Sequence, residues 1–288
     1  MNLFTQSIYS GLTSGAVYAL LAMGLVIAFR TTRVVNLAHG ESYAVAGLVI
    51  AMLDRAGLPL ALALGSGVLI AMAYLWAMDR VLLRPRSSWP VASLILITLG
   101  MAFLTRGVLL VVAGVDPLSF PRLVAGPPLR WAGGILPRQA LLLIVTSIVA
   151  AVAVAVFLGR TRFGRQLRAT AEHPDAAQLM GVNVAATRAA AFLLAGGLGG
   201  LAAALLVPLV PVDFQTGLGM TLRGFIAAAL AGMVPGAAVL CGFILGLFEA
   251  FVTSYGGALA SDPVVFVVLI VAALWRSRSI RFEGRARA

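Results

Sequence analysis

Long, nearly uncharged apolar runs constrain this chain more than any motif in it. They fall at 8–29, 35–53, 58–78, 91–113, 139–158, 189–210, 224–255 and 263–275. A bilayer core of ~30 Å is crossed by roughly 20 apolar residues in a helix. Inside lipid only helices or closed barrels satisfy their own backbone. Composition agrees, with 61% of the 288 residues hydrophobic and 11% charged, against about a quarter charged in soluble chains. The pattern predicts an all-α membrane protein, a polytopic bundle of about eight or nine transmembrane segments in a single domain over 1–288. Met1 to Ser10 carries no basic n-region and no A-x-A site, so no cleaved signal peptide is expected.

All 21 basic residues are arginine, and the chain has no lysine. A Walker A loop needs its lysine against the phosphates, so nucleotide chemistry of that kind is excluded, and so is a lysine Schiff base. One cysteine, Cys241, and two histidines, His39 and His173, leave no expectation of a disulfide, a metal site or a cofactor. The net charge of +11 could suit nucleic acid, but its placement reads as topology. Arg30 and Arg33 follow the first run, and Arg80, Arg84 and Arg86 follow the third. Arg160, Arg162, Arg165, Arg168 and Arg188 lie in the loop 159–188, and Arg276, Arg278, Arg281, Arg285 and Arg287 in the tail 276–288. The positive-inside rule puts all four clusters in the cytoplasm. The loop 114–138 and the short 54–57 connection then face outward.

That orientation requires an even number of crossings between the 159–188 loop and the tail. The 224–255 stretch must cross twice or not at all, and it is broken near 233–236 by Pro235 and Gly236, with the crossing able to begin earlier, near Thr216. Backbone groups freed by such a break need protein or a cavity beside them. Four G-x-x-x-G pairs, Gly11/Gly15, Gly196/Gly200, Gly232/Gly236 and Gly242/Gly246, offer close helix approach. No internal repeat is evident.

Two segments go beyond generic bundle chemistry. Asn36, His39 and Glu41 interrupt the apolar run after Arg33. Placing such groups in a membrane costs up to ~3 kcal/mol each on insertion scales, so they are expected either at the cytoplasmic headgroups or facing a polar interior. Asn36 and His39, spaced i, i+3, would share a face if helical. In the second segment, Pro174 suits a first helical position, Asp175 the positive dipole end and Gly181 the C′ position. A helix over 174–180 follows. Two turns are unstable alone, so Ala176, Ala177, Leu179 and Met180 need a surface to dock on.

These segments resemble the permease subunits of ABC importers for branched-chain amino acids, the LivH type. The G-L-x-x-G-x-x-Y-A-L-x-A-x-G run is matched by Gly11, Leu12, Gly15, Tyr18, Ala19, Leu20, Ala22 and Gly24, and N-x-A-H-G-E by Asn36, Ala38, His39, Gly40 and Glu41. Near the C-terminus Gly232, Pro235, Gly236, Gly242, Gly246 and Glu249 continue the likeness. The E-A-A-x3-G coupling motif of importer permeases is similar to Asp175-Ala176-Ala177-x3-Gly181, with aspartate for glutamate. The I-x-L-P that often follows is replaced by Ala-Phe-Leu-Leu at 191–194.

The resemblance implies a bacterial inner-membrane permease without catalysis of its own. Its expected partners are a second related permease subunit, two cytoplasmic ATP-binding subunits and an extracytoplasmic solute-binding protein, with a small solute as cargo and no nucleic acid. It assigns ATPase coupling to Pro174, Asp175, Ala176, Ala177, Leu179, Met180 and Gly181, and a translocation path to Asn36, His39, Glu41 and Glu249. Open alternatives are a permease of the same superfamily for another small solute, such as another amino acid, urea, an amide or a sugar, and an ion-coupled carrier. An ion-coupled carrier would place ionisable residues such as Arg106 and Glu249 inside the membrane. No paired-carboxylate or Ser/His/Asp set supports an enzyme.

Overall fold

A computed structural model describes residues 2–131 and 133–257, together with Pro263, Val264 and Val267. The expected 263–275 span and the 276–288 tail therefore lie outside the described residues. Ten helices are described: α1 (Leu3–Thr32), α2 (Glu41–Arg55), α3 (Leu60–Met78), α4 (Val91–Ala113), α5 (Arg138–Arg160), α6 (Arg162–Glu172), α7 (Pro174–Leu179), α8 (Val184–Leu206), α9 (Thr216–Leu230) and α10 (Pro235–Gly256). α3 continues into a π-helical stretch, Asp79–Leu83. Among the described residues six helices are long and apolar enough to cross a membrane: α1, α3 with its extension, α4, α5, α8 and α10. α2 and α9, at 15 residues each, are shorter.

α1 is the hub of the bundle. From Ala16 to Ala28 it is buried all round, without an exposed stripe. α10 packs antiparallel along it through both glycine pairs. A Cβ on Gly246 would collide with the Gly15 backbone, and one on Gly242 would meet Ala19 at 2.5 Å. Gly196 and Gly200 likewise admit α3, lying against Ala71 and Val68. Gly232 and Gly236 do not form such a seam: Gly232 turns the chain at φ +72° and Gly236 has open space where a Cβ would be. α3, α4 and α5 form the outer wall, with exposed Leu69, Val111 and Val152.

The break expected near 233–236 is present as the turn 231–234, where Gly232 and Met233 both take positive φ. It sits beside Phe29 and Arg30 at the arginine-rich end, joining α9 to α10. The 224–255 stretch is thus divided between two helices, α9, which begins at Thr216, and α10. The expected span 35–53 differs more. α1 ends at Arg33, whose αL conformation (φ 58°) lets its N–H reach Phe29 O at 2.7 Å. The chain then climbs back into the bundle without helical structure until Glu41.

At the opposite end a two-stranded antiparallel hairpin, β1 (Leu129–Trp131) and β2 (Gly134–Leu136), lies on the start of α1. Ile135 N donates to Gln6 Oε1 (3.0 Å) and Tyr9 OH to Trp131 O (3.2 Å). Leu118 and Val212 pair by two backbone bonds of 2.8 and 2.9 Å. They tie the loop before the hairpin to the connection between α8 and α9.

Candidate functional site

The climbing segment 34–40 is irregular backbone inside protein, which lipid would not tolerate, and the neighbouring helices satisfy it. Leu37 N donates to Thr98 Oγ1 of α4 at 3.1 Å and Gly40 N to Thr221 Oγ1 of α9 at 2.8 Å. Ala38 N donates to Asn36 Oδ1 at 3.0 Å. Glycines make the room. A Cβ on Gly40 would strike the Gly217 and Thr221 backbone, one on Gly217 the Glu41 carboxylate, and one on Gly24 the His39 ring. Gly24 lies about 12 Å from the arginine-rich end of α1 at ~1.5 Å per residue, so α2 begins well inside the bundle.

Asn36, His39 and Glu41 are 3%, 0% and 0% exposed. All three are enclosed by protein, as expected of groups that face a polar interior. Asn36 and His39 do not share a helical face, because the helix starts only at Glu41. Glu41 Oε1 receives Arg106 Nε of α4 at 3.0 Å. Glu41 Oε2, Arg106 Nη2 and Asn36 Nδ2 are buried without a protein partner. The His39 ring leans toward the Leu21 backbone without a well-formed hydrogen bond. This seam therefore has donors and an acceptor to spare, beside the N-terminal end of α2 where the helix dipole is positive.

Glu249 is held elsewhere. Its carboxylate accepts from Tyr18 OH (2.7 Å) and from Arg223 Nε and Nη2 (2.9 and 2.7 Å), bridging α10, α1 and α9. The sequence pattern did not pick out Arg223, because an arginine in an apolar run carries no signal of its partner. A third pair, Asp79 with Arg188 at 2.6 Å, closes the arginine-rich end between α3 and α8. No group of three or more potential metal ligands occurs among the described residues.

The second site is α7, Pro174–Leu179, one residue short of the expected helix. Gly181 at φ +82° lets Val182 N return to Ala177 O (3.0 Å) and end it. Ala177 is 5% exposed and faces the protein itself, whereas Leu179 and Met180 are 89% and 85% exposed. Of the four apolar residues expected to seek a docking surface, Ala177 thus anchors α7, while Leu179 and Met180 stand free. Pro174, Asp175 and Ala176 are exposed beside them. Sequence reasoning missed α6, which leads into α7. Its signal was Gly164, Leu167, Thr170 and Ala171, which form one buried face at helical spacing.

Residues 7–274 match the family described as branched-chain amino acid transport system / permease component. The high-affinity branched-chain amino acid transport system permease protein LivH of Escherichia coli K12 is 31% identical over 289 residues, covering 94% of this chain and 93% of that one. BraD of Pseudomonas aeruginosa, a permease protein of the same description, is 27% identical over 96% of this chain and 95% of its own. A solved structure described as an inward-facing conformation of a putative metal-chelate type ABC transporter shares the fold, with a TM-score of 0.53 at 15% identity over 98% of this chain and 89% of that one. With a polar seam inside an apolar bundle and a match running almost end to end, the chain belongs to the branched-chain amino acid permease family of ABC transport systems.

Proposed function

We propose that this chain forms one half of the translocation path of an ATP-driven importer for branched-chain amino acids, as a single permease domain over 1–288. It is a multi-pass inner-membrane permease subunit and not itself an enzyme. ATP is hydrolysed by two separate cytoplasmic subunits, a second related permease completes the membrane part, and a solute-binding protein delivers cargo on the outside.

The observation that carries the path is the start of α2 inside the bundle, where Asn36, His39, Glu41 and Arg106 gather with unpartnered polar atoms. Polar groups held at such depth are costly and usually serve a pathway. Glu249 with Arg223 and Tyr18 belongs to the same path on the other flank of α9. Leu179 and Met180 supply the apolar contact to the ATPase, with Pro174, Asp175, Ala176, Ala177 and Gly181 shaping and anchoring the helix that carries them. ATPase closure would push α7, and α6 with α8 would transmit the push to the bundle as a rigid-body tilt. The outward 114–138 loop with its hairpin would receive the binding protein.

The experiment is uptake of radiolabelled leucine, isoleucine and valine, set against urea, a short amide and ribose, into proteoliposomes holding the full complex with its binding protein. ATP-dependent uptake confined to the branched-chain amino acids is expected. Uptake of another solute instead overturns the substrate, and uptake without ATP overturns the importer.

A further inference from the structure

At the arginine-rich end a cavity of about 440 Å³ opens between the end of α1, α6 and the 231–234 turn. Arg30, Arg33 and Arg168 line it, opposed by one carboxylate, Glu172. Arg33 Nη2 holds Ala171 O and Arg168 Nη1 holds Leu158 O. Among the described residues none of the three arginines is in a salt bridge, so the cavity keeps excess positive charge. Arg30 and Arg168 also line a second cavity of about 200 Å³. Its other walls are apolar: Ile27, Ala155, Leu158, Leu167 and Pro235. The N-terminal end of α10 borders it and adds its positive dipole. From there exposed Val152 and Val156 on α5, and Leu240 and Ile244 on α10, continue the apolar surface toward the bundle's middle. These residues repeat the helical faces of Ala155, Gly159 and Gly236, three to eight residues away.

A free phosphate would need only the first cavity. A charged chamber whose Arg30 and Arg168 also line an apolar cavity matches an amphiphile. We propose that this pair of cavities binds an anionic phospholipid of the cytoplasmic leaflet. Its phosphate lies on Arg30, Arg33 and Arg168 and one acyl chain lies in the groove between α5 and α10. Basic pockets between helices on the cytoplasmic side are where such headgroups bind. Because the site clamps α6 to α1, and α6 leads into α7, an occupied site would stiffen the connection to the docking helix. That consequence rests on the function proposed above, while lipid binding does not.

The test is native mass spectrometry of the purified, delipidated permease complex offered phosphatidylglycerol or phosphatidylcholine with identical chains. Phosphatidylglycerol should be retained preferentially. Arg30→Gln with Arg168→Gln should weaken that preference by roughly thirtyfold, from about 1 kcal/mol per basic residue. Arg162→Gln with Arg165→Gln, exposed positions on the same helix, should leave it unchanged. Ala155→Trp, which fills the groove and spares the arginines, should also lower retention. Equal retention of the two lipids overturns the proposal, as does unchanged preference in the Arg30/Arg168 variant. Full displacement by excess inorganic phosphate, with Ala155→Trp behaving as wild type, reassigns the site to a free anion and likewise overturns it.

Discussion

Glu41 and Arg106 meet at 3.0 Å although 65 residues separate them in the chain. The carboxylate stands in the first turn of α2 and the guanidinium rises from α4 with Phe103 beneath it, 5.5 Å to the ring centre. Both side chains are largely withdrawn from solvent, 0% and 16% exposed. The pair anchors a helix that starts inside the bundle to the outer wall.

Removing one partner strands the other. Glu41→Gln or Arg106→Gln alone should cost about 3–5 kcal/mol, the range for breaking a buried ion pair from one side. The double variant should cost less than the sum, with a coupling between about 0.5 and 3 kcal/mol. Unfolding of the purified permease, followed by tryptophan fluorescence, measures all three. Strict additivity would show that the two side chains do not support each other.

The same argument runs the other way for His39. Its ring nitrogens lack a well-formed partner and are wholly buried, so an apolar replacement removes unsatisfied groups rather than bonds. His39→Leu should leave unfolding within about 1 kcal/mol of wild type while abolishing leucine uptake in proteoliposomes. Wild-type uptake would take His39 off the path.

Gly15 and Gly246 set the distance between α1 and α10. Gly246→Leu forces a side chain into the Gly15 backbone, and overpacking of that kind costs about 1–3 kcal/mol or more. Gly100→Ala is the control, because a Cβ there meets nothing within 4 Å. The first should lower the melting temperature and the yield of folded permease, and the second should change neither.

On α7 the two kinds of apolar residue separate by experiment. Leu179→Asp and Met180→Asp replace exposed side chains, so the permease alone should unfold within about 0.5 kcal/mol of wild type. Docking should weaken by about tenfold or more per side chain, given ~1.5–3 kcal/mol for burying one of them. Binding of the isolated ATPase subunit measures this directly. Ala177→Glu buries a charge against the protein's own body and should instead disorder α7 in the permease alone. Protease sensitivity at 174–181 reads that out.

Much was legible in the chain because the bilayer is so demanding a solvent. Apolar runs of crossing length located the long helices. Pro174, Asp175 and Gly181 are local signals that a helix needs at its termini whatever surrounds it, so α7 could be read to within a residue. The N-x-A-H-G-E run stood out because polar groups amid apolar ones are expensive, and the structure buries Asn36, His39 and Glu41.

What the chain alone could not determine were relations between distant residues. Periodicity reports a helical face but not which partner it meets, so Glu41 with Arg106, and Glu249 with Arg223, came only from the packed bundle. The start of α2 at Glu41 depends on Thr98 and Thr221 satisfying backbone that lipid would have forced into a helix. The choice between Ala177 as anchor and Leu179 and Met180 as free surface was likewise tertiary. All three residues are apolar, and only the packing of α7 against its neighbours decides which of them is covered. Local propensity and solvent demand are written residue by residue, whereas burial and pairing exist only once the helices have met.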